Sequence, residues 1–329
     1  MNRMVALVIV LMMPLTLSCA KKIKVGPEGA RVIAKNAYIY GYPMLENYKL
    51  MYAYAIYQDG KYFRAPFNNM AVVTPDTVST DSTGAAVTLG SPFAMAWIDL
   101  RAEPVVITVP PMKEGSRYHV QLTDMYTFEF GQLSTEKDGN KGASYMIVPP
   151  GWSGRTPDQI TRVIGCETSF ALVVIRGHGP GIEATATTEA FLMNFSVERL
   201  ATFQDTKAPR AQAVIFPPYS QETVNTPGFF QYLIFLLQFC PVHPSEIHER
   251  AEFAKLGIAA GETFDIGYMD KAILEAVNAG MEDGRAEIAA AAAKTPEDRV
   301  MYGTRADLKN DFLARAVAAK VRLYGPPKI

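Results

Sequence analysis

This chain of 329 residues has no excess of either charge, no clustered histidines, no cysteine framework and no apolar run long enough to cross a bilayer, and each absence removes a class of function. Its 32 basic residues meet 33 acidic ones, so it carries no electrostatic footprint for DNA, RNA or an anionic membrane surface. His119, His178, His243 and His248 form no His-x-x-x-His pattern and no Cys-x-x-Cys pair joins them, so neither a metal nor any other cofactor is expected. Asp138-Gly139-Asn140-Lys141-Gly142 lacks the spaced acids and closing glutamate of a calcium loop and reads as a turn. There is no Gly-x-Ser-x-Gly elbow, and Arg176-Gly177-His178-Gly179-Pro180-Gly181 lacks the Lys-Ser/Thr ending of a phosphate loop. Beyond Cys19 only Cys166 and Cys240 remain; they either pair in an oxidising compartment or stay as thiols, and the apolar setting of each favours buried thiols.

What is present begins with a leader. Arg3, the apolar stretch from Met4 to Leu17 and the small residues Ser18-Cys19-Ala20 follow the pattern of a secretory signal over residues 1–20. Leu15-Thr16-Leu17-Ser18-Cys19 also resembles a bacterial lipobox, with Thr16 where Leu is usual, and cleavage there lipidates Cys19. The expectation is an exported protein, periplasmic or an outer-membrane lipoprotein, touching the membrane only through that anchor.

The remainder, roughly 310 residues, is long enough for a substantial core. From Ala30 to about Tyr57, residues Tyr38, Tyr42, Leu45, Tyr48, Met51 and Tyr52 recur at helical steps, with a break expected at Gly41-Tyr42-Pro43. From Val72 to about Ile182 the pattern changes to short β-branched and aromatic runs separated by glycine and proline. Strands are predicted at Val105 to Val109, Tyr118 to Tyr126, Tyr145 to Val148 and Phe170 to Arg176. Helices return after Pro227: Phe229 to Phe239, one capped by Ser245 and ending at Gly257, a long one from Met269 to Lys294, a restart at Thr295-Pro296-Glu297-Asp298, and a last one from Ala306 to Leu323. The tyrosines of the first helix read as core residues with a polar tip reaching solvent. The fold class is therefore α+β: a central antiparallel β-sandwich, jelly-roll-like, with N-terminal helices and a C-terminal helical tail. Its parts are a helical entry plus sandwich over 21–225 and a helical region over 226–329.

The chemistry is sought where polar residues alternate. In an extended Trp97-Ile98-Asp99-Leu100-Arg101-Ala102-Glu103-Pro104, Trp97, Asp99, Arg101 and Glu103 share one face. Such a face is either a ligand wall or a rung of ion pairs that closes a sandwich. As a ligand wall it assigns Asp99, Glu103 and Asp124 as acid/base carboxylates, with Arg101 or Arg176 as charge partner and Trp97, Gln121 and Tyr126 as binding groups.

The blocks Ala37-Tyr38-Ile39-Tyr40-Gly41-Tyr42-Pro43, Ala96-Trp97-Ile98-Asp99-Leu100-Arg101-Ala102-Glu103-Pro104, Gln121-Leu122-Thr123-Asp124-Met125-Tyr126-Thr127 and Pro149-Pro150-Gly151-Trp152 resemble, in order and spacing, the family called domain of unknown function 1254. The resemblance runs from about residue 30 to 260. It implies an exported bacterial protein with a β-sandwich-like domain, usually followed by a second, jelly-roll domain, number 1214. It also implies a carbohydrate-like ligand and, if there is catalysis, a glycan hydrolase using carboxylates. Two departures stand out. Where relatives carry Asn/Ser-x-Asp-Thr-x-Tyr before the tryptophan block, this chain has Thr88-Leu89-Gly90-Ser91-Pro92-Phe93, and a Pro75-Asp76-Thr77 copy lies upstream. Asp311-Phe312-Leu313-Ala314-Arg315-Ala316 resembles the helix that leads into the second domain. The expected function is binding, and processing, of a carbohydrate-like or small polar ligand. The alternative is a non-catalytic scaffold, half of a split protein that assembles with a separate second-domain polypeptide or with its own copies through an uncovered C-terminal helix face.

Overall fold

The computed structural model describes residues 25–74, 92–179, 185–296 and 303–321. The leader with Cys19, the Pro75-Asp76-Thr77 copy and the Glu297-Asp298 restart lie outside the described residues.

Helix α1 (Pro27–Met51) opens with proline in its first turn and Glu28 beside it, both suited to a helix start, and a π-helical turn (Tyr52–Ile56) closes it. The expected break at Pro43 does not occur; the helix runs through it. Tertiary packing supplies the reason. A Cβ on Gly41 would lie 2.8 Å from Leu233 Cδ2, so helix α6 (Gly228–Leu237) presses directly on the backbone there and holds the turn in line.

Nine strands follow among the described residues: β1 (Ala71–Val73), β2 (Phe93–Asp99), β3 (Val105–Val109), β4 (Arg117–Asp124), β5 (Glu129–Ser134), β6 (Ala143–Val148), β7 (Ile160–Gly165), β8 (Phe170–His178) and β9 (Ser196–Arg199). They form a five-stranded sheet, β1-β2-β8-β4-β5, and a four-stranded sheet, β7-β6-β3-β9. Pairing is antiparallel except for β6 with β7, which run parallel. Short helices α2 (Thr135–Asp138), α3 (Thr185–Leu192), α4 (Leu200–Phe203) and α5 (Gln221–Val224) sit between and after the strands.

The larger sheet is covered on both faces, which is why its central strands read as apolar runs. Ala94, Ala96 and Ile98 of β2, with Val120, Leu122, Ala171, Val173 and Ile175, face Val105, Ile107, Tyr145 and Ile147 of the other sheet. Phe93, Met95 and Trp97, with Phe170, Leu172 and Val174, face the helices instead. The result is three layers: helices, sheet, sheet. This is an α+β fold.

Past α6, a 3-10 turn (Pro244–Glu246) leads into α7 (Ile247–Lys255). Ser245 is not its cap: His243 caps the 3-10 turn, its Nδ1 accepting from the Ser245 N–H at 3.2 Å, and α7 follows Glu246 with no side-chain cap. Asp270 caps α8 (Lys271–Lys294). The predicted last helix is two, α9 (Arg305–Leu308) and α10 (Phe312–Val321), parted at Lys309 with φ of 49°. Helices α6 to α10 share one apolar core with α1 and the outer face of the larger sheet. Residues 315–319 of α10 are buried, so the apolar face expected to stand uncovered is packed within the chain. Cys166 and Cys240 are free and buried.

Helices α1 and α8 approach to backbone contact. A Cβ on Gly280 would fall 2.2 Å from Arg31 O, and one on Gly284 3.0 Å from Tyr38 Cδ1. Arg31–Asp283 and Lys35–Glu287 ion pairs flank this seam at 2.6 and 2.5 Å.

Candidate functional site

The residues singled out in the sequence do not meet in one hollow. Strand β2 ends at Asp99, and the chain bends at 101–103, so the alternation that put Arg101 and Glu103 on one face with Trp97 stops short. Trp97 is 2% exposed and packs under the helices, where a sugar cannot stack on it. Asp99 takes Arg101 in a fork, Nε to Oδ1 at 2.9 Å and Nη2 to Oδ2 at 2.7 Å, while Arg101 Nη1 donates to the Gln212 carbonyl at 2.9 Å. That guanidinium lies 5.0 Å from the Phe170 ring, so the pair fastens the irregular segment 205–220 onto the helix-facing side of the sheet. Glu103 is buried, accepts from the Ala201 N–H at 2.7 Å and pairs with Arg199 at 3.1 Å, which anchors the start of α4. Gln121 and Arg176 do come together: Arg176 Nη1 donates to Gln121 Oε1 at 3.4 Å, and Gln121 Nε2 to Glu129 Oε2 at 3.3 Å. Asp99 and Glu103 thus take different duties, an ion pair and a cap, rather than forming a ligand wall.

Asp124 and Tyr126 belong to a deeper assembly. At the end of β4 the turn to β5 closes on Asp124, whose Oδ1 accepts from Phe128 N at 2.8 Å, and Thr127 takes a φ of 72°. Asn47 of α1 donates to the Asp124 carbonyl at 3.0 Å. Around this turn the C-terminal helices bring three arginines. Arg250 of α7 donates to the Tyr40 and Tyr126 hydroxyls at 3.3 and 3.2 Å. Arg305 of α9 bridges Glu246 at 2.5 Å and Glu167 at 2.7 Å. Tyr40 in turn donates to Glu246 Oε2 at 2.7 Å. Arg315 of α10 is 1% exposed and its Nε, Nη1 and Nη2 have no hydrogen-bond partner among the described residues; neither has Asp124 Oδ2. Burial pushes the Asp124 carboxyl up to about 7, against the pull of the Phe128 N–H, and pushes the Cys166 thiol up to about 12. Burial likewise raises the Tyr40 hydroxyl and lowers the Arg315 guanidinium.

On the opposite side of α1 lies an open cleft of ≈ 170 Å³. Residues 38, 42 and 46 follow one another at four-residue steps and so share a face, which Tyr40 and Asn47 do not. Tyr38, Tyr42 and Glu46 form the α1 wall, Arg285 of α8 and Lys320 of α10 supply cations, and Gln221 and Asn225 supply amides. The two tyrosine rings lie 6.0 Å apart, and Arg285 sits 5.8 Å over Tyr38 while donating to Glu282 at 2.8 Å. Burial raises the Glu46 carboxyl, offset in part by Lys49 and Lys320.

Both assemblies draw on residues that sequence reasoning passed over: Glu46, Glu246, Arg250, Arg285, Arg305, Arg315 and Lys320. One signal was available for Arg315. It is the lone charge in the apolar run from Phe312 to Ala319.

Two facing sheets under a helical layer, with polar centres on either side of its longest N-terminal helix, define a helix-backed β-sandwich protein. Residues 67–196, which hold strands β1 to β8, match the family model described as "Protein of unknown function (DUF1254)". Among solved structures, the VPA0106 protein from Vibrio parahaemolyticus is similar at a TM-score of 0.74 and 21% identity, over 91% of this chain and 69% of that one, which is a likeness of fold. An uncharacterized protein from Burkholderia cenocepacia aligns at a TM-score of 0.26 and 12% identity, over 58% of this chain and 44% of that one. No curated protein matches the chain.

Proposed function

We propose that this is an exported envelope protein that binds one small, polar, hydroxyl-bearing molecule, a single sugar ring by size, in the cleft between α1 and α8. The observation that carries the reading is the lining: two tyrosine rings, a half-buried carboxylate, two amides and two cations around one opening. Aromatic faces with a few convergent polar groups suit sugar-like ligands, the rings packing on the C–H faces while amides and charges take the hydroxyls. At ≈ 170 Å³ the cleft is below the ~300–1,000 Å³ of pockets for drug-sized ligands, hence the single ring. Binding is favoured over cleavage, because glycoside hydrolysis needs two carboxyl groups across one substrate. Glu46 is the one carboxylate lining this cleft, and Asp124 is sealed beyond α1. Export rests on Arg3, the Met4–Leu17 run and Ser18-Cys19-Ala20.

The test is saturation-transfer NMR on the mature chain with glucose, N-acetylglucosamine and galacturonate. Transfer to at least one sugar is expected, lost in Tyr42→Ala and weakened in Glu46→Gln, with Asp99→Asn behaving as wild type. Undiminished transfer in Tyr42→Ala, or none to any of the three sugars in the wild type, sinks the reading.

A further inference from the structure

The Arg315 centre is a separate matter from the cleft and rests on other atoms. Among the described residues the Arg315 guanidinium has no hydrogen-bond partner and lies over four ring faces: Phe128 at 4.6 Å, Tyr40 at 5.6 Å, Phe312 at 5.8 Å and Tyr126 at 5.9 Å. Ring faces offset part of a cation's charge but accept no guanidinium N–H in line. A buried charge without a partner is expensive, so a guanidinium with three unmatched nitrogens calls for an acceptor. The neighbouring carboxylates are held elsewhere and do not bond Arg315: Glu246 is engaged by Tyr40 and Arg305, and Glu167 Oε2 by Arg305. Asp124 Oδ2, fully buried close by, also lacks a partner.

We propose that Arg315 and Asp124 form a receptor for one small monovalent anion, chloride or a carboxylate the size of formate, enclosed between the β4–β5 turn and α10. The anion accepts from the Arg315 nitrogens and from Asp124 in its acid form, so one guest satisfies both groups. Charge sets the valence. Arg250, Arg305 and Arg315 face Glu246 and Glu167, leaving one positive charge while Asp124 holds its proton, and a single negative charge cancels it. The groups around Asp124 are Glu167 from the β7–β8 connection, Arg305 from α9, Arg315 from α10, and the Cys166 and Cys240 thiols; those around Arg315 are Tyr40, Glu246, Asp124 and Arg305. Once Asp124 ionises the centre is already neutral and Oδ2 has no proton to donate, so the anion is no longer held. Anion uptake therefore carries a proton with it, in agreement with the elevated carboxyl of Asp124.

The experiment follows thermal unfolding of the full mature chain at constant ionic strength while chloride, or formate, replaces bulky gluconate. In mildly acidic buffer the melting temperature is expected to climb with the logarithm of chloride or formate concentration. In alkaline buffer the apparent affinity should weaken about tenfold for each pH unit above the Asp124 titration. Arg315→Met should abolish the response. Because that variant also loses a buried contact, Asp124→Asn provides the second reading: its amide keeps an N–H for the anion, so the response persists and its pH dependence disappears. A wild type that melts identically in chloride, formate and gluconate at acid pH overturns the proposal and leaves water, or an adventitious ion only, between the two groups. So does an Asp124→Asn response that still fades with pH.

Discussion

Gly280→Ala offers the sharpest check on the packing that shapes both centres. On helix propensity alone the change is favourable, since glycine inside a helix costs about 0.5–1 kcal/mol relative to alanine. The structure reverses that sign. The added methyl would sit 2.2 Å from Arg31 O, 2.9 Å from Ala34 Cβ and 3.0 Å from Lys35 N, so α1 must retreat by roughly 1 Å to restore ordinary contact. Retreat is resisted by buried Ala30, Ala34 and Ala37 and by the Arg31–Asp283 and Lys35–Glu287 pairs. Overpacking costs about 1–3 kcal/mol and sometimes more; with backbone as the obstacle the upper end applies, for a net loss of about 2 kcal/mol. Urea unfolding should show a lower midpoint with an unchanged slope. Gly29→Ala is the control, because its nearest neighbour is Val25 Cβ at 3.7 Å and it should gain the propensity term. A Gly280→Ala protein as stable as wild type, or more so, refutes the close seam between α1 and α8.

Other outcomes follow from the same geometry. Asp124 holds its proton in the fold up to about pH 7 against an ordinary value of 3.8, so the folded chain binds more protons and loses stability as pH rises between those values, by roughly 4 kcal/mol at most. Urea titrations at acid and alkaline pH should show this decline in wild type and its disappearance in Asp124→Asn. Trp97→Phe should leave stability within about 1 kcal/mol and sugar transfer intact, as it removes an indole N–H that has no acceptor, whereas Trp97→Ala should cost about 3–5 kcal/mol. Arg101→Lys keeps the charge but loses the fork on Asp99 and the stack on Phe170; limited proteolysis within 205–217 should accelerate, with about 1–2 kcal/mol lost. An unchanged cleavage pattern would show that the segment is held by its other contacts.

Much of the scaffold was legible because it is local. Val105–Val109 was predicted to the residue, and the strand predicted at Phe170 to Arg176 runs two residues further, to His178. Trp97 and Asp99 do share a face, but strand periodicity carries no sign of where a strand stops, and the bend at 101–103 dissolved the candidate wall. Pro43 misled for a related reason: proline's preference is intrinsic, while the Leu233 contact that overrides it comes from nearly two hundred residues away. The two polar centres were hidden by the same distance. Tyr40 meets Glu246 and Arg250 across separations of 206 and 210 positions, which no spacing rule can anticipate. A lone arginine amid alanines was the one visible clue.

Helix α1 is a partition with a polar cluster on each side. Tyr38 and Tyr42 line the open cleft, while Tyr40, between them in sequence, reaches the buried Glu246. A rigid rod cannot move one wall without moving the other. Any shift of α1 that moves the tyrosine pair also moves Tyr40 against the arginine cluster, so a guest in the cleft that displaced the helix would be felt there, and the influence would run both ways. The protein thus sets an open cleft and a buried arginine cluster against one shared wall.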